Sequence, residues 1–400
     1  MPTFAAPTMD EVTGLLRGVM DPELGGNIVD LGMVDLGRTR VDPDGFVTIG
    51  VKLTIGGCPL RAQIKKDVET RIATHPGVRE VVIDWGEMTA EERSEVMLKA
   101  RWAARENAPD TEVPATTRVL AIASGKGGVG KSSITVNLAA AIATMGYTVG
   151  VLDADIWGFS VPRMLGVEGR LAGAKDGDGR GRIVPNEKRV GPGLLKVVST
   201  GLLVEDEGTA LMWRGLMLTK AVEQFLRDVQ WGDLDYLLID MPPGTGDVQM
   251  GLARLLPRTD LVIVTTPALA AQKVASRAAD MARRSFLRVA GVIENMSSFE
   301  CAHGERYALF GEGGGQALAD EVGTELLGQV PIEPAVAAGG DAGTPVALDG
   351  DGPAARALRG IAERIVTETV PPVQMAGCSA RVLEAVERLL GPKPTVAPTA

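Results

Sequence analysis

One octapeptide constrains this 400-residue chain more than any other stretch. Gly125-Lys126-Gly127-Gly128-Val129-Gly130-Lys131-Ser132 fits the pattern G-x-x-x-x-G-K-[ST]. It follows the apolar run Val119–Ala123 and precedes the helical run Ser133–Met145. A strand feeding a helix through such a turn lets glycine N–H groups converge on phosphate oxygens, and the helix N-terminus adds its dipole. Lys131 is then placed to reach the β- and γ-phosphates, and Ser132 to ligate Mg²⁺. The competing reading is a glycine-rich turn with a chance Lys-Ser, and motif and context together defeat it. The ATP-binding set read here is Gly125, Lys126, Gly127, Gly128, Val129, Gly130, Lys131, Ser132 and Ser133. Lys126 stands where such loops are variable. It is either a second cation for phosphate, one bound by a neighbouring subunit, or a solvated loop lysine.

A phosphate loop needs a buried strand behind it, and the downstream chain supplies several. Short apolar runs at Val119–Ala123, Thr148–Leu152, Tyr236–Ile239, Leu261–Thr265 and Val289–Ile293 alternate with helical segments. Continuous apolar runs imply strands covered on both faces, hence an α/β fold with a mostly parallel sheet flanked by helices. Two runs end in carboxylates. Leu237-Leu238-Ile239-Asp240 places Asp240 to hold Mg²⁺, and Val151-Leu152-Asp153-Ala154-Asp155 offers Asp155, ahead of Asp153, to orient an attacking water. Gly166 to Gly193 reads as a surface loop inserted in this domain.

Composition narrows the setting. With 41 Lys+Arg against 51 Asp+Glu the net charge is −10, which disfavours broad nucleic-acid binding. Glycine is abundant at 50 residues and aromatics make up 4%, which suits an enzyme with many tight strand-to-helix turns. Three cysteines exclude a disulfide scaffold and favour a reducing compartment. The start lacks a basic region followed by an apolar run, and the most apolar stretch, Ile134 to Leu152, is interrupted by Asn137, Gly146 and Thr148. The expectation is a cytoplasmic protein without a membrane span.

Ahead of the ATPase region lies a small α+β domain, residues 1–88. Its expected elements are a helix Met9–Met20, strands Met33–Val41 and Phe46–Ile55 joined by the turn Asp42-Pro43-Asp44-Gly45, a helix from Pro59, and a strand Val78–Trp85. Residues 89–116 read as a linker with a charged helical stretch, Glu91 to Glu106. The P-loop domain occupies 117–370. Residues 371–400 carry a helix pattern, Ala380–Leu390, and a tail expected to be disordered.

These motifs carry a resemblance. Lys126 within the phosphate loop resembles the deviant Walker A of MinD/ParA-type ATPases. Asp153-Ala-Asp-Ile-Trp-Gly-Phe-Ser160, Trp213-Arg-Gly-Leu-Met217, Asp235 to Asp247, Glu294-Asn295-Met296-Ser297 and Phe310-Gly-Glu-Gly-Gly-Gly315 resemble the Mrp/ApbC branch, the iron–sulfur cluster carrier ATPases. The first domain, with Gly56-Gly57-Cys58-Pro59-Leu60, is similar to the SufT/PaaD-like domain. The resemblance implies a homodimer with nucleotide at its interface, ATP and Mg²⁺ as ligands, and apo iron–sulfur clients and scaffold proteins as partners. It implies catalytic roles for Lys126, Lys131 and Asp155, and adenine recognition by Asn295. MinD-like membrane or ParA-like DNA partners are not expected: the tail pattern balances Arg381 and Arg388 with Glu384 and Glu387, and the chain is acidic.

The family pattern breaks at one position. Its cluster site is C-x-x-C after the E-N-M-S stretch, and this chain reads Cys301-Ala302-His303-Gly304. A symmetric dimer then offers two thiolates from this turn where a bridging [4Fe–4S] cluster takes four. Cys301 with His303 from both subunits gives a Cys₂His₂ set suited to zinc or an unusual [2Fe–2S] cluster. The competing reading makes both ordinary loop residues in a cluster-free, nucleotide-switched dimeric ATPase. Cys58, before a helix start at Pro59, is a second candidate thiolate, since a helix N-terminus lowers a thiol's pKa.

Overall fold

The computed structural model describes residues 5–21, 26–53, 61–89, 91–93, 96, 111–155, 158–175, 181–203, 215–244, 247–285, 287–301 and 303–373. The helix start at Pro59, the tail pattern Ala380–Leu390, most of the charged stretch Glu91 to Glu106, Cys58 and Cys378 lie outside them.

The first helix is Met9–Leu16, opened by a capping box. Glu11 N–H donates to Thr8 Oγ1 (3.2 Å), and Thr8 N–H donates to Glu11 Oε2 (2.7 Å). It ends earlier than expected because Met20 belongs to strand β1 (Met20–Asp21), which pairs with β2 (Gly26–Asn27). Strands β3 (Val34–Val41), β4 (Phe46–Leu53) and β5 (Glu80–Glu87) form one sheet, antiparallel then parallel. The expected turn closes β3 onto β4: Gly45 N–H donates to Asp42 O at 2.9 Å, and Gly45 sits at φ +85, where a side chain is disfavoured. The helix Arg61–Ala73 covers this sheet through Ile64, Val68 and Ile72.

The second sheet contains β6 (Arg118–Ala123), β7 (Thr148–Asp153), β10 (Asn186–Val190), β11 (Gly193–Ser199), β12 (Tyr236–Asp240), β13 (Asp260–Thr265), β14 (Arg288–Glu300), β15 (Arg306–Tyr307) and β16 (Leu326–Ile332). Its order is β10-β11-β7-β12-β6-β13-β14-β15, with β16 also pairing β14. The ladders from β11 through β14, and β14 with β16, are parallel; β10 and β15 are antiparallel additions. Helix Lys131–Thr144 packs on one face with Pro353–Arg364, and Gly215–Asp228, Asp247–Leu255 and Leu269–Arg284 pack on the other. That double cover is why β12 and β13 are buried along their whole length.

The segment Gly166 to Gly193 is not the surface loop expected. It folds as β8 (Ala172–Lys175) against β9 (Gly181–Val184), followed by β10. Glycine and charge hid strands that lie at edges, where polar alternation is tolerated.

The two domains meet on a buried ionic seam at the strand-start edge of the large sheet, away from the phosphate loop. Arg71 Nη2 lies 3.3 Å from Asp260 Oδ1, both side chains being 5% exposed, and donates to Arg258 O at 2.6 Å. Arg288 Nη1 approaches Asp260 Oδ2 at 3.4 Å. Asp67 pairs with Arg118 at 3.2 Å, while Arg118 Nε donates to Pro371 O and Arg288 Nη2 to Thr369 O. Burial pulls the Arg71 guanidinium below the usual arginine range, with Asp260 opposing. Gly18 has no room for a Cβ because the Arg71 guanidinium is there. Asp260→Ala leaves two buried arginines without their carboxylate and is expected to cost about 3–5 kcal/mol in chemical denaturation. A loss below about 1 kcal/mol, typical of exposed pairs, would mean the seam is hydrated in solution.

Candidate functional site

The phosphate loop leaves β6 and enters helix Lys131–Thr144. Gly125 is required by packing: a Cβ there would lie 2.2 Å from the Val274 backbone carbon. Gly128 (φ +81) and Gly130 (φ +80) are left-handed, and Gly130 caps the helix. Lys131 is buried, and its Nζ lies 2.7 Å from Asp240 Oδ1 at the end of β12. Ser132 Oγ donates to Asp240 Oδ2 (2.5 Å), and Thr135 Oγ1 lies 2.9 Å from Asp240 Oδ1. The structure thus brings together Lys131, Ser132 and Asp240. Thr135 was missed in the sequence, although its position four residues after Lys131 puts it on the same helix face.

Asp153 ends β7 directly beside Asp240 in the parallel register. It accepts from the N–H groups of Asp155 (3.1 Å), Ser160 (3.2 Å) and Val161 (3.3 Å) and from Ser199 Oγ (3.1 Å). Burial, then the Asp240 charge, push its carboxyl up to about 7, with Lys131 and the backbone donors opposing. Asp153 therefore holds Asp155, Ser160 and Val161 by their backbone N–H groups, while Asp155 is half-buried and accepts from Gly158 N–H (3.3 Å). Lys126 is exposed at the loop's tip. Asn295 is buried against the loop and donates Nδ2 to Val129 O at 2.9 Å.

Cys301 follows β14 in the turn to β15. Cys301 N–H donates to Glu305 O, and Gly304 N–H to Cys301 O, each at 2.9 Å. Gly304 stands at φ +81, so the second cysteine position is one that L side chains rarely adopt. Cys301 is half-buried beside a cleft of about 500 Å³ lined also by Ser297, Ser298, Arg306, Gln329 and Glu333, and His303 is exposed. Among the described residues no three His, Cys, Asp or Glu side chains converge as a metal site.

Comparison with known proteins agrees over both domains. Residues 115–366 match the family described as ParA, NUBPL iron-transfer P-loop NTPase, and residues 9–83 match that described as iron–sulfur cluster assembly protein. The chain is 44% identical over 370 residues to an iron–sulfur cluster carrier protein of Mycobacterium leprae, covering 90% of this chain and 93% of that one. It is 40% identical over 362 residues to the protein so named from Deinococcus radiodurans, covering 89% and 94%. A solved nucleotide-binding protein in complex with ADP from Archaeoglobus fulgidus is 37% identical, covering 56% of this chain and 86% of that one, at a TM-score of 0.47.

A Cβ at Gly130 would meet Asn295 Nδ2 at 2.2 Å in a backbone conformation that already disfavours it. Gly130→Ala is therefore expected to weaken nucleotide binding by at least about tenfold, ~1.4 kcal/mol, in calorimetric titration. Unchanged affinity would separate Asn295 from the nucleotide site.

Proposed function

The chain belongs to the NUBPL-type iron-transfer P-loop NTPase family, and we propose that it is an ATP-hydrolysing carrier that binds iron–sulfur clusters and delivers them to apo-proteins. The observation that carries this reading is the placement of Cys301. It directly follows the strand that braces the phosphate loop through Asn295, so the thiol and the nucleotide share one structural support.

The chemistry follows from the pairings present. Lys131 is held by Asp240 until a triphosphate offers it competing oxygens. Asp240 and Ser132 are then left as adjacent hard oxygen donors, the kind Mg²⁺ prefers. Mg²⁺ held by these two groups would supply charge neutralisation to the phosphates. Asp155 orients water for in-line attack on the γ-phosphorus, whose bond to the bridging oxygen breaks as ADP leaves. Lys126 reaches the nucleotide of a second subunit in a homodimer. Iron–sulfur scaffolds and clients are the partners on this reading, and the compartment is the cytoplasm. Among the described residues no helix is long and apolar enough to cross a membrane.

The cluster is cargo, and two Cys301 thiolates per dimer hold it more loosely than four would. Gly304 also favours a second reading, a cluster-free ATPase whose dimerisation is switched by nucleotide. Anaerobic reconstitution with iron and sulfide separates them, with both counted per dimer in wild type, Cys301→Ala and Cys58→Ala. Transferable cluster lost with Cys301 supports the carrier. Loss with Cys58 alone moves the site to the first domain, and no cluster in any variant with hydrolysis intact favours the switch.

Hydrolysis has its own test. Lys131→Ala is expected to lower kcat by at least about 100-fold. Lys126→Ala is expected to keep nucleotide affinity within about threefold while lowering kcat at least about tenfold. An unaffected rate in Lys126→Ala would remove that lysine from the reaction.

A further inference from the structure

Up to Asn295, β14 runs in the sheet with Asn295 opposite Val330 of β16. The next paired residue is Phe299, opposite Ile332. Four steps along β14 answer two along β16, so two extra residues bulge between them. Met296 lies in this bulge at φ +57, the one non-glycine residue with positive φ among those described. Such strain persists where surroundings hold it, and it concentrates at switch regions and ligand clamps.

The holding contacts come from both sides. On the nucleotide side, Asn295 Nδ2 donates to Val129 O, and a Cβ at Gly130 would lie 3.7 Å from Met296 Cε. On the thiol side, Ser298 Oγ accepts from Arg306 Nε at 2.9 Å, fixing β15 to β14 just before the Cys301 turn. Beneath the bulge, Glu294 accepts from Gly315 N–H and from Gln329 Nε2, and Gln329 lines the Cys301 cleft.

We infer that the Asn295–Ser298 bulge is a positioning element that links occupancy of the phosphate loop to the setting of Cys301. The inference rests on reading that loop as the nucleotide site. Phosphates engage the loop through its N–H groups and so reorient its peptide units, including the one whose carbonyl Asn295 holds. A regular strand resists such a displacement with its ladder of hydrogen bonds. A bulge lacks part of that ladder, so it takes up the displacement as a turn of the chain and re-aims the residues beyond it. Those residues end in Cys301.

The test is the alkylation rate of Cys301 in the full chain by iodoacetamide, followed by peptide mass spectrometry, with and without saturating Mg²⁺ and ATPγS. Nucleotide binding and molar mass by light scattering are measured on the same samples. The wild-type rate is expected to change by about fivefold or more on nucleotide binding. Met296→Gly, which accepts φ +57 without strain, is expected to hold the change within about 1.5-fold while nucleotide is bound and the mass matches wild type. A wild type that binds nucleotide with no change in rate overturns the coupling. So does a change that persists in Met296→Gly, which assigns it to shielding by dimerisation. A wild type that binds no nucleotide brings down the nucleotide reading itself, and the inference with it.

Discussion

Lys131 and Asp240 form an ion pair 6% and 1% exposed at the heart of the larger domain, and much of the architecture exists to place it. Lys131 comes from the first turn of one helix and Asp240 from the end of β12, so the pair closes when β6 and β12 lie side by side in parallel register. A buried pair of this kind is weak evidence of stabilisation, because desolvating two charges offsets most of their attraction. Its value is selectivity. Separating the pair leaves each charge uncompensated, so a ligand that enters must replace both. On the proposed function a magnesium–nucleotide complex would do so, offering phosphate oxygens to Lys131 and a cation to Asp240. A bare anion or a bare cation satisfies one half.

Asp153 sharpens this balance. Its carboxyl is pushed up first by burial and then by the neighbouring Asp240 charge, with Lys131 opposing. Its oxygens are taken by the backbone N–H groups of Asp155, Ser160 and Val161, so the charge state of the phosphate site and the placement of these three residues are tied together. The acidic pair that reads in the sequence as alternatives for one role divides the work. The first residue holds these N–H groups and the second supplies one of them.

The local parts of this site were legible before the fold was known, because each is written in consecutive residues. The phosphate loop, the strand ending at Asp240 and the apolar runs of β6, β7, β12 and β13 carry their own signals. What was not legible depends on distant partners. Strand β11 contains Lys196, which escapes as a core-strand residue by sending its Nζ to Trp231 O. Strand β16 contains Gly328, Gln329 and Pro331, which a sequence pattern rejects and which pairing with β14 alone tolerates. The Arg71–Asp260–Arg288 seam joins residues far apart in sequence, each an ordinary surface charge until the domains are docked. The resemblance singles out Asn295, but its hold on Val129 required the loop and strand together.

The position that departs from the family pattern gains meaning from its backbone. A glycine replacing a cysteine reads in sequence as a lost ligand and nothing more. In the folded chain the residue sits at φ +81, closing a tight turn whose first residue is Cys301. Restoring a cysteine there places a side chain in a conformation that costs about 1–2 kcal/mol, unless the turn opens. The loss of the second thiol and the tightness of the turn are therefore one structural choice. The turn holds a single sulfur beside a cleft lined by serine, arginine, glutamate and several prolines, just past the strand whose Asn295 holds the phosphate loop. A site built to retain a cluster surrounds it with thiolates. On the carrier reading proposed above, one built to release it does better with fewer.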